Sequence, residues 1–199
     1  MNLEEEYQKK KQQIEQRLQE FKQIPEEEYF YELCFCLLTP QSKAHQSDFC
    51  IQELKRQDFQ NKKVNPLPLL KQKIRFHNHK TQYLLGFKKQ HKEIFQQLQK
   101  MQNAKEKREF LVKNVKGLGL KEASHFLRNI GYENLAILDR HILKNLLEFG
   151  AIKEIPKALT RNKYLEIEEQ FLDFSLRMKI PLDHLDLLFW ARETGEIFK

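Results

Sequence analysis

The chain is poor in residues that break helices. Its 199 residues hold only six glycines and six prolines. Long helical periods run between them, and no convincing apolar–polar alternation marks a strand, so the expected fold is nearly all α. Cysteine is scarce too. Cys34, Cys36 and Cys50 are too few and too close in sequence for a disulfide framework. Cys34-Phe35-Cys36 lies in an apolar helical stretch where alternate residues point in different directions, so the thiols read as core groups rather than metal ligands. No apolar run reaches the roughly 18 residues of a membrane helix. The first residues, Met1-Asn2-Leu3-Glu4-Glu5-Glu6, are acidic and lack the basic and apolar regions of a secretion signal, which predicts an intracellular location.

What is present is a globular, basic chain. Hydrophobic residues make up 40%, and 35 Lys and Arg against 28 Asp and Glu leave a formal charge of +7. That balance favours an anionic partner, nucleic acid first, although many basic proteins bind nothing acidic.

In chain order, residues 4–23 form a charged, Gln-rich helix with a sparse stripe of Tyr7, Ile14, Leu18 and Phe21. Pro25 breaks it, and Glu26-Glu27-Glu28 suits the first turn of the next helix. Phe30, Leu33, Cys34, Leu37 and Leu38 then mark a buried helix. It stops at Thr39-Pro40-Gln41-Ser42-Lys43, and His45–Arg56 is helical again. Basic groups with an aromatic and amides follow in Lys71–Lys80, including Arg75-Phe76-His77-Asn78. Such a mixture suits a nucleic-acid surface, where charges hold phosphate and a ring can wedge between bases. His77 and His79 have no obvious third partner, so no metal site is expected. Residues 81–100 read as a Lys/Gln-rich helix with a solvated face. Gly150 reads as a helix C-cap. Leu165, Ile167, Phe171, Phe174 and Met178 form the spine of a further helix. A last one, restarted at Pro181, holds Asp186, Phe189 and Trp190.

The most informative stretch is Val115-Lys116-Gly117-Leu118-Gly119-Leu120-Lys121. Two glycines one residue apart separate helical patterns on either side. Such a turn presents the first amides of the second helix, a site suited to phosphate. A bare GxG between helices is equally an ordinary αα-hairpin turn. Lys121, one residue past the second glycine, and Asp139, eighteen residues later in Ala136-Ile137-Leu138-Asp139-Arg140-His141, favour the functional reading.

These residues resemble the helix-hairpin-helix signature of DNA base-excision glycosylases. The wording KEASHFLRNIGY…AILDRHIL most resembles the compact 8-oxoguanine DNA glycosylase/AP lyases of archaea and some bacteria, over about residue 25 to the C-terminus. The chain departs from the pattern in lacking a proline in the loop before Asp139. The resemblance implies two helical lobes with the hairpin at the cleft. The expected division is a single unit of residues 1–199, with one subdomain of 1–37 plus 138–199 and another of 38–137. It implies Lys121 as Schiff-base nucleophile and Asp139 as its electrostatic and proton-transfer partner. It implies Gln41 as the residue that fills the space left by a flipped base, with Ser42 and Lys43 towards the DNA backbone. It implies Arg75, Phe76, His77 and Asn78 as the wedge that probes the opposite base, and Lys116, Gly117 and Gly119 as hairpin contacts to DNA. The base pocket would be formed by Met178, Asp186, Trp190 and Lys199, whose terminal carboxylate contributes to purine recognition in that family. Read without the resemblance, Thr39 and Ser42 are helix caps, Gln41 is solvated, Met178 and Trp190 are core residues, Lys121 binds phosphate, and Asp139 caps a helix or pairs with Arg140.

The chemistry requires a neutral amine to attack C1′ of the sugar. The helix end, nearby Lys116 and burial would all disfavour the cation of Lys121. Asp139 would stabilise positive charge on the sugar. No metal or organic cofactor is expected, though hairpin carbonyls could hold a monovalent cation. No cysteine follows Cys50, which excludes the C-terminal iron–sulfur cluster of some related glycosylases. The expected partner is double-stranded DNA containing oxidised guanine, bound by a monomer in a prokaryotic cytoplasm and held to the nucleoid through DNA, with no membrane partner. The rivals are a same-fold glycosylase for an oxidised pyrimidine or mismatch, and a non-catalytic helix-hairpin-helix DNA-binding protein.

Overall fold

The computed structural model describes residues 2–199, and these form ten α-helices with no strand. They are α1 (Leu3–Lys22), α2 (Tyr29–Leu38), α3 (Ala44–Arg56), α4 (Leu67–Lys73), α5 (His77–Gln99), α6 (Ala104–Asn114), α7 (Leu120–Asn129), α8 (Arg140–Glu148), α9 (Arg161–Met178) and α10 (Leu182–Thr194). The expected all-α class is the observed one. None of these helices is long and apolar enough to cross a membrane.

The chain divides into two compact units. A terminal unit joins Met1–Ile24 to Leu127–Lys199, and a middle unit spans Pro25–Phe126, so the boundary falls inside α7. The expected division, at 37/38 and 137/138, assigns α2 to the terminal helices. Instead α2 packs on α3 and α5 of the middle unit. The reason is that α2 is apolar on every side. Phe30 through Leu38 are all buried, including Glu32, so the helix carries no stripe that points to one neighbour.

In the terminal unit, α10 is the central helix and packs against α1, α8 and α9. The α1 stripe buries Leu3, Tyr7, Ile14 and Phe21, and the Tyr7 hydroxyl lies 2.9 Å from His184 Nδ1 on α10. Phe149, Phe171, Phe174 and Phe189 stack at ring separations of 5.7–6.5 Å. Gly131 has φ +91° and lies so close to α1 that a Cβ there would meet Lys22 Cα at 2.9 Å.

The middle unit is built on α5. This helix is not merely the solvated, Lys/Gln-rich element its composition suggests. It buries Lys80, Thr81, Leu84, Phe87, His91, Ile94 and Leu98. Phe30 stacks on Phe87 at 5.4 Å, and Phe59, His91 and Phe95 complete an aromatic core. All three cysteines are buried in the same unit, as expected of core thiols.

Candidate active site

The hairpin joins α6 to α7. Val115 ends α6, and the chain reverses through Lys116 and Gly117. Gly117 has φ +97°, and a Cβ on it would lie 2.4 Å from the Tyr83 ring of α5. Both the turn and the close approach demand glycine here. Farther along α5, Gln90 Nε2 donates to the Asn114 carbonyl at 3.1 Å, so the same helix supports the hairpin at two points. Gly119 has a different role. It stands at the N-cap of α7, and its N–H donates to Glu122 Oε2 at 3.2 Å. This is half of a capping box, with the acidic residue at N3 reaching back to the cap. The expected anion-binding helix end therefore has one amide taken by its own carboxylate. No described residue accepts from the N–H groups of Leu120 or Lys121.

Lys121 occupies the first turn of α7. Its side chain is 26% exposed, so the anticipated burial is partial, and Nζ lies 3.0 Å from Glu122 Oε1. Lys116 is exposed. The two contacts of Glu122 were not foreseen. Finding them from sequence requires knowing that Gly119 is the cap, after which Glu122 falls at the capping-box position.

Gln41 is exposed and left-handed, with φ 54°, in the turn between α2 and α3. Lys43 is exposed beside it, at the N-cap of α3, while the Thr39 hydroxyl donates to the Cys36 carbonyl at 3.0 Å. Phe76, at the N-cap of α5, is likewise left-handed (φ 57°) and 52% exposed, with the Arg75 guanidinium 5.8 Å from its ring. Asn78 and half-buried His77 open α5. A residue missed in sequence joins these pieces. Lys80, one turn into α5, sends its ammonium to the Leu38 carbonyl (2.7 Å), the Pro40 carbonyl (2.6 Å) and Ser42 Oγ (2.9 Å). Burial, helped by the charges of Lys121 and Arg75 and opposed by Glu122, brings its pKa down to about 8. Ser42 thus has its oxygen turned to Lys80. The signal for Lys80 was present in the sequence. Positions 80, 84, 87, 91, 94 and 98 are one helical stripe, and a lysine on it is a lysine on the core face.

In the terminal unit, Asp139 is the N-cap of α8. Its Oδ1 accepts from His141 N–H at 2.8 Å and Ile142 N–H at 2.9 Å, and no described residue donates to Oδ2. The capping role that the residue type allowed is therefore real, and it leaves one carboxylate oxygen for other work. The His141 ring meets Trp190 edge-on at 5.4 Å. Trp190 is half-buried, and its Nε1–H has no acceptor among the described residues. Asp186, one turn before Trp190 on α10, is buried. Burial lifts its pKa to about 7, assisted by the charges of Asp139 and Asp183 and opposed by Arg128, whose Nη2 is 3.8 Å away. Asp183 is likewise raised by burial, to about 6, and accepts the Asn134 N–H at 2.9 Å. Asp139, His141, Asp186 and Trp190 therefore form one neighbourhood. Met178 closes α9, and Lys199 lies in the non-helical tail beyond α10, both half-buried.

The chain is similar in sequence and fold to proteins of known name. The sequence pattern of 8-oxoguanine DNA glycosylase matches residues 14–180. The 8-oxoguanine DNA glycosylase/AP lyase of Fusobacterium nucleatum is 46% identical over 200 residues, covering 94% of this chain and 91% of the relative. The protein of the same name from Methanocaldococcus jannaschii is 42% identical, with the same coverage. The crystal structure of the M. jannaschii enzyme in complex with a 15mer DNA containing 8-oxoguanine superimposes with a TM-score of 0.89 at 39% identity, over all of both chains. That of the 8-oxoguanine DNA glycosylase of Thermotoga maritima gives 0.87 at 33% identity, over 99% of this chain and 96% of that one. Matched over most of its length by the family pattern and by these relatives, the chain belongs to the helix-hairpin-helix 8-oxoguanine DNA glycosylase family.

Proposed function

We propose that this protein excises 8-oxoguanine from duplex DNA and then cleaves the abasic site by β-elimination, with Lys121 as the nucleophile. The observation that carries this reading is Lys121 itself, presented partly exposed at the start of α7 beside the hairpin turn. The match to a relative solved with 8-oxoguanine DNA supports the substrate.

In this mechanism the Lys121 amine attacks C1′ as the bond to the base breaks. The departing base leaves with the bonding pair and takes up a proton. Asp139 Oδ2 stabilises the positive charge that develops on the sugar. Opening of the sugar ring gives an iminium between Lys121 and C1′. Loss of a C2′ proton then expels the 3′ phosphate, and water releases the lysine. Gln41 enters the space vacated by the flipped nucleotide, while Arg75, Phe76, His77 and Asn78 address the opposite strand. Ser42, Lys43, Lys116 and the amides around Gly117 and Gly119 hold phosphate. Trp190, Met178, Asp186 and Lys199 form the pocket for the base. The protein acts as a monomer, in the cytoplasm on DNA.

The test is borohydride trapping on a duplex containing 8-oxoguanine. The wild-type protein should become covalently linked to DNA. Lys121→Gln should abolish the link while retaining duplex binding. Trapping of the variant at the wild-type level would move the nucleophile to another amine, and no trapping by the wild type would leave a DNA-binding module without the lyase chemistry.

A further inference from the structure

Lys80 is 3% exposed, and all three protons of its ammonium are engaged. None of its acceptors is charged. Burying a cation against neutral acceptors is costly, and a methionine would fill a similar volume without that cost. The acceptors explain what the cation does. Leu38 ends α2, and its carbonyl is among those that a helix end leaves without a partner. A cation there also complements the negative end of the helix dipole. Pro40 and Ser42 bracket Gln41, the left-handed residue at the tip of the turn. A non-glycine residue in that conformation is held by its surroundings rather than by its own preference. The same α5 carries Phe76 at its N-cap, one hydrogen-bonded turn before Lys80, with Lys80 N–H donating to the Phe76 carbonyl at 3.1 Å.

We propose that Lys80 is a positioning residue for the Gln41 turn: its buried ammonium, anchored on α5, ties down the backbone on both sides of Gln41. The exposed amide is thereby set to enter the duplex without first paying for the ordering of its loop. The proposal rests on the assignment of Gln41 as the residue that fills the vacated space.

A double-mutant comparison tests it, with three variants: Lys80→Met, Gln41→Ala and the pair. Two activities are read: single-turnover excision of 8-oxoguanine from duplex, and borohydride trapping at a preformed abasic site in single-stranded DNA, where there is no stacked duplex to fill. Each single variant should slow duplex excision by about tenfold or more, as misplaced contacts do. Trapping on the single strand should hold near wild type. The pair should be no slower than Gln41→Ala alone, because Lys80 acts through Gln41. Losses that multiply in the pair, or an equal loss of both activities, would overturn the proposal by showing that Lys80 serves Lys121 or the fold at large. If Gln41→Ala alone leaves excision unchanged, the assignment of Gln41 falls, and the positioning role falls with it. If Gln41→Ala is slow and Lys80→Met is not, only the role of Lys80 is overturned. Should Lys80→Met fail to fold, Lys80→Gln, whose uncharged amide ends one bond short of the ammonium, is carried through the same comparison.

Discussion

Glu122 holds Lys121 and the hairpin turn with one carboxylate: Oε1 lies 3.0 Å from Lys121 Nζ, and Oε2 accepts the Gly119 N–H at 3.2 Å. The turn geometry and the position of the Lys121 amine are therefore coupled through a single side chain. Glu122→Gln retains an oxygen for the Gly119 N–H but removes the ion pair. The pair is part-buried, Lys121 26% and Glu122 13% exposed, so much of its attraction is offset by the cost of desolvating the two charges. Attack on C1′ requires the pair to part, so Glu122→Gln should leave trapping at a preformed abasic site unchanged or a few-fold faster. Glu122→Ala also loses the cap and should cost about 1 kcal/mol in a denaturant melt. A tenfold or greater fall in trapping by Glu122→Gln (roughly 1.4 kcal/mol of barrier) would instead make Glu122 a required proton acceptor.

Substitution can separate the observed capping role of Asp139 from its proposed catalytic one. Its Oδ1 caps α8 through the His141 and Ile142 amides. Asparagine caps helices about as well as aspartate. Asp139→Asn should therefore keep thermal stability close to wild type while excision falls roughly a hundredfold or more, the size of a lost electrostatic contact to a transition state. Asp139→Ala should show the same catalytic loss and in addition lose ~1 kcal/mol of stability. A loss below about fivefold in single-turnover excision by the Asn variant would remove Asp139 from the mechanism.

The burial of Asp186 predicts a pH dependence of stability with a definite sign. Its folded-state pKa, about 7, lies above its ordinary value of 3.8, so the native chain binds the proton more tightly than the unfolded chain. Stability from this group is complete below pH 3.8 and declines as pH rises towards 7. Asp186→Asn removes the titration. In urea melts across pH 4 to 8, the wild type should lose ground to the variant by up to ~1.4 kcal/mol per pH unit until pH 7, and no further above it. A difference that stays constant over that range would show that Asp186 is ionised throughout, held by Arg128.

The hairpin was legible because its constraints are local. Gly117 must be glycine, for both its φ and its contact with Tyr83, and Lys121 and Asp139 stand at fixed distances along the chain from it. The helices were legible from apolar period, and α1, α9 and α10 bury the stripes expected of them in all but their edge residues. What was not legible depended on partners far along the chain. α2 is apolar all round, so its sequence does not say that it joins α3 and α5. The stripe of α5 places Lys80 on the core face, but what its ammonium bonds there depends on acceptors some forty residues away. Glu122 became meaningful only once the start of α7 was located.

Substitution of Trp190 tests recognition of the base separately from chemistry at the sugar. Its ring packs edge-on to His141, whose backbone N–H is held by Asp139, so the aromatic face and the Asp139 carboxylate share one helix end. Its Nε1–H is buried without an acceptor among the described residues, an arrangement that costs stability in a purely structural residue. Stacking of a base on an aromatic ring is worth about 1–3 kcal/mol when measured by alanine substitution. Trp190→Ala should therefore lower excision of 8-oxoguanine from duplex DNA by roughly tenfold to a hundredfold at sub-saturating substrate. Cleavage of a preformed abasic duplex is the internal control, since it presents no base to stack, and it should be nearly unaffected. Trp190→Phe keeps an aromatic face and should recover most of the excision. If Trp190→Ala depresses both activities together and Trp190→Phe restores both together, the ring supports α8 and Asp139 rather than the lesion.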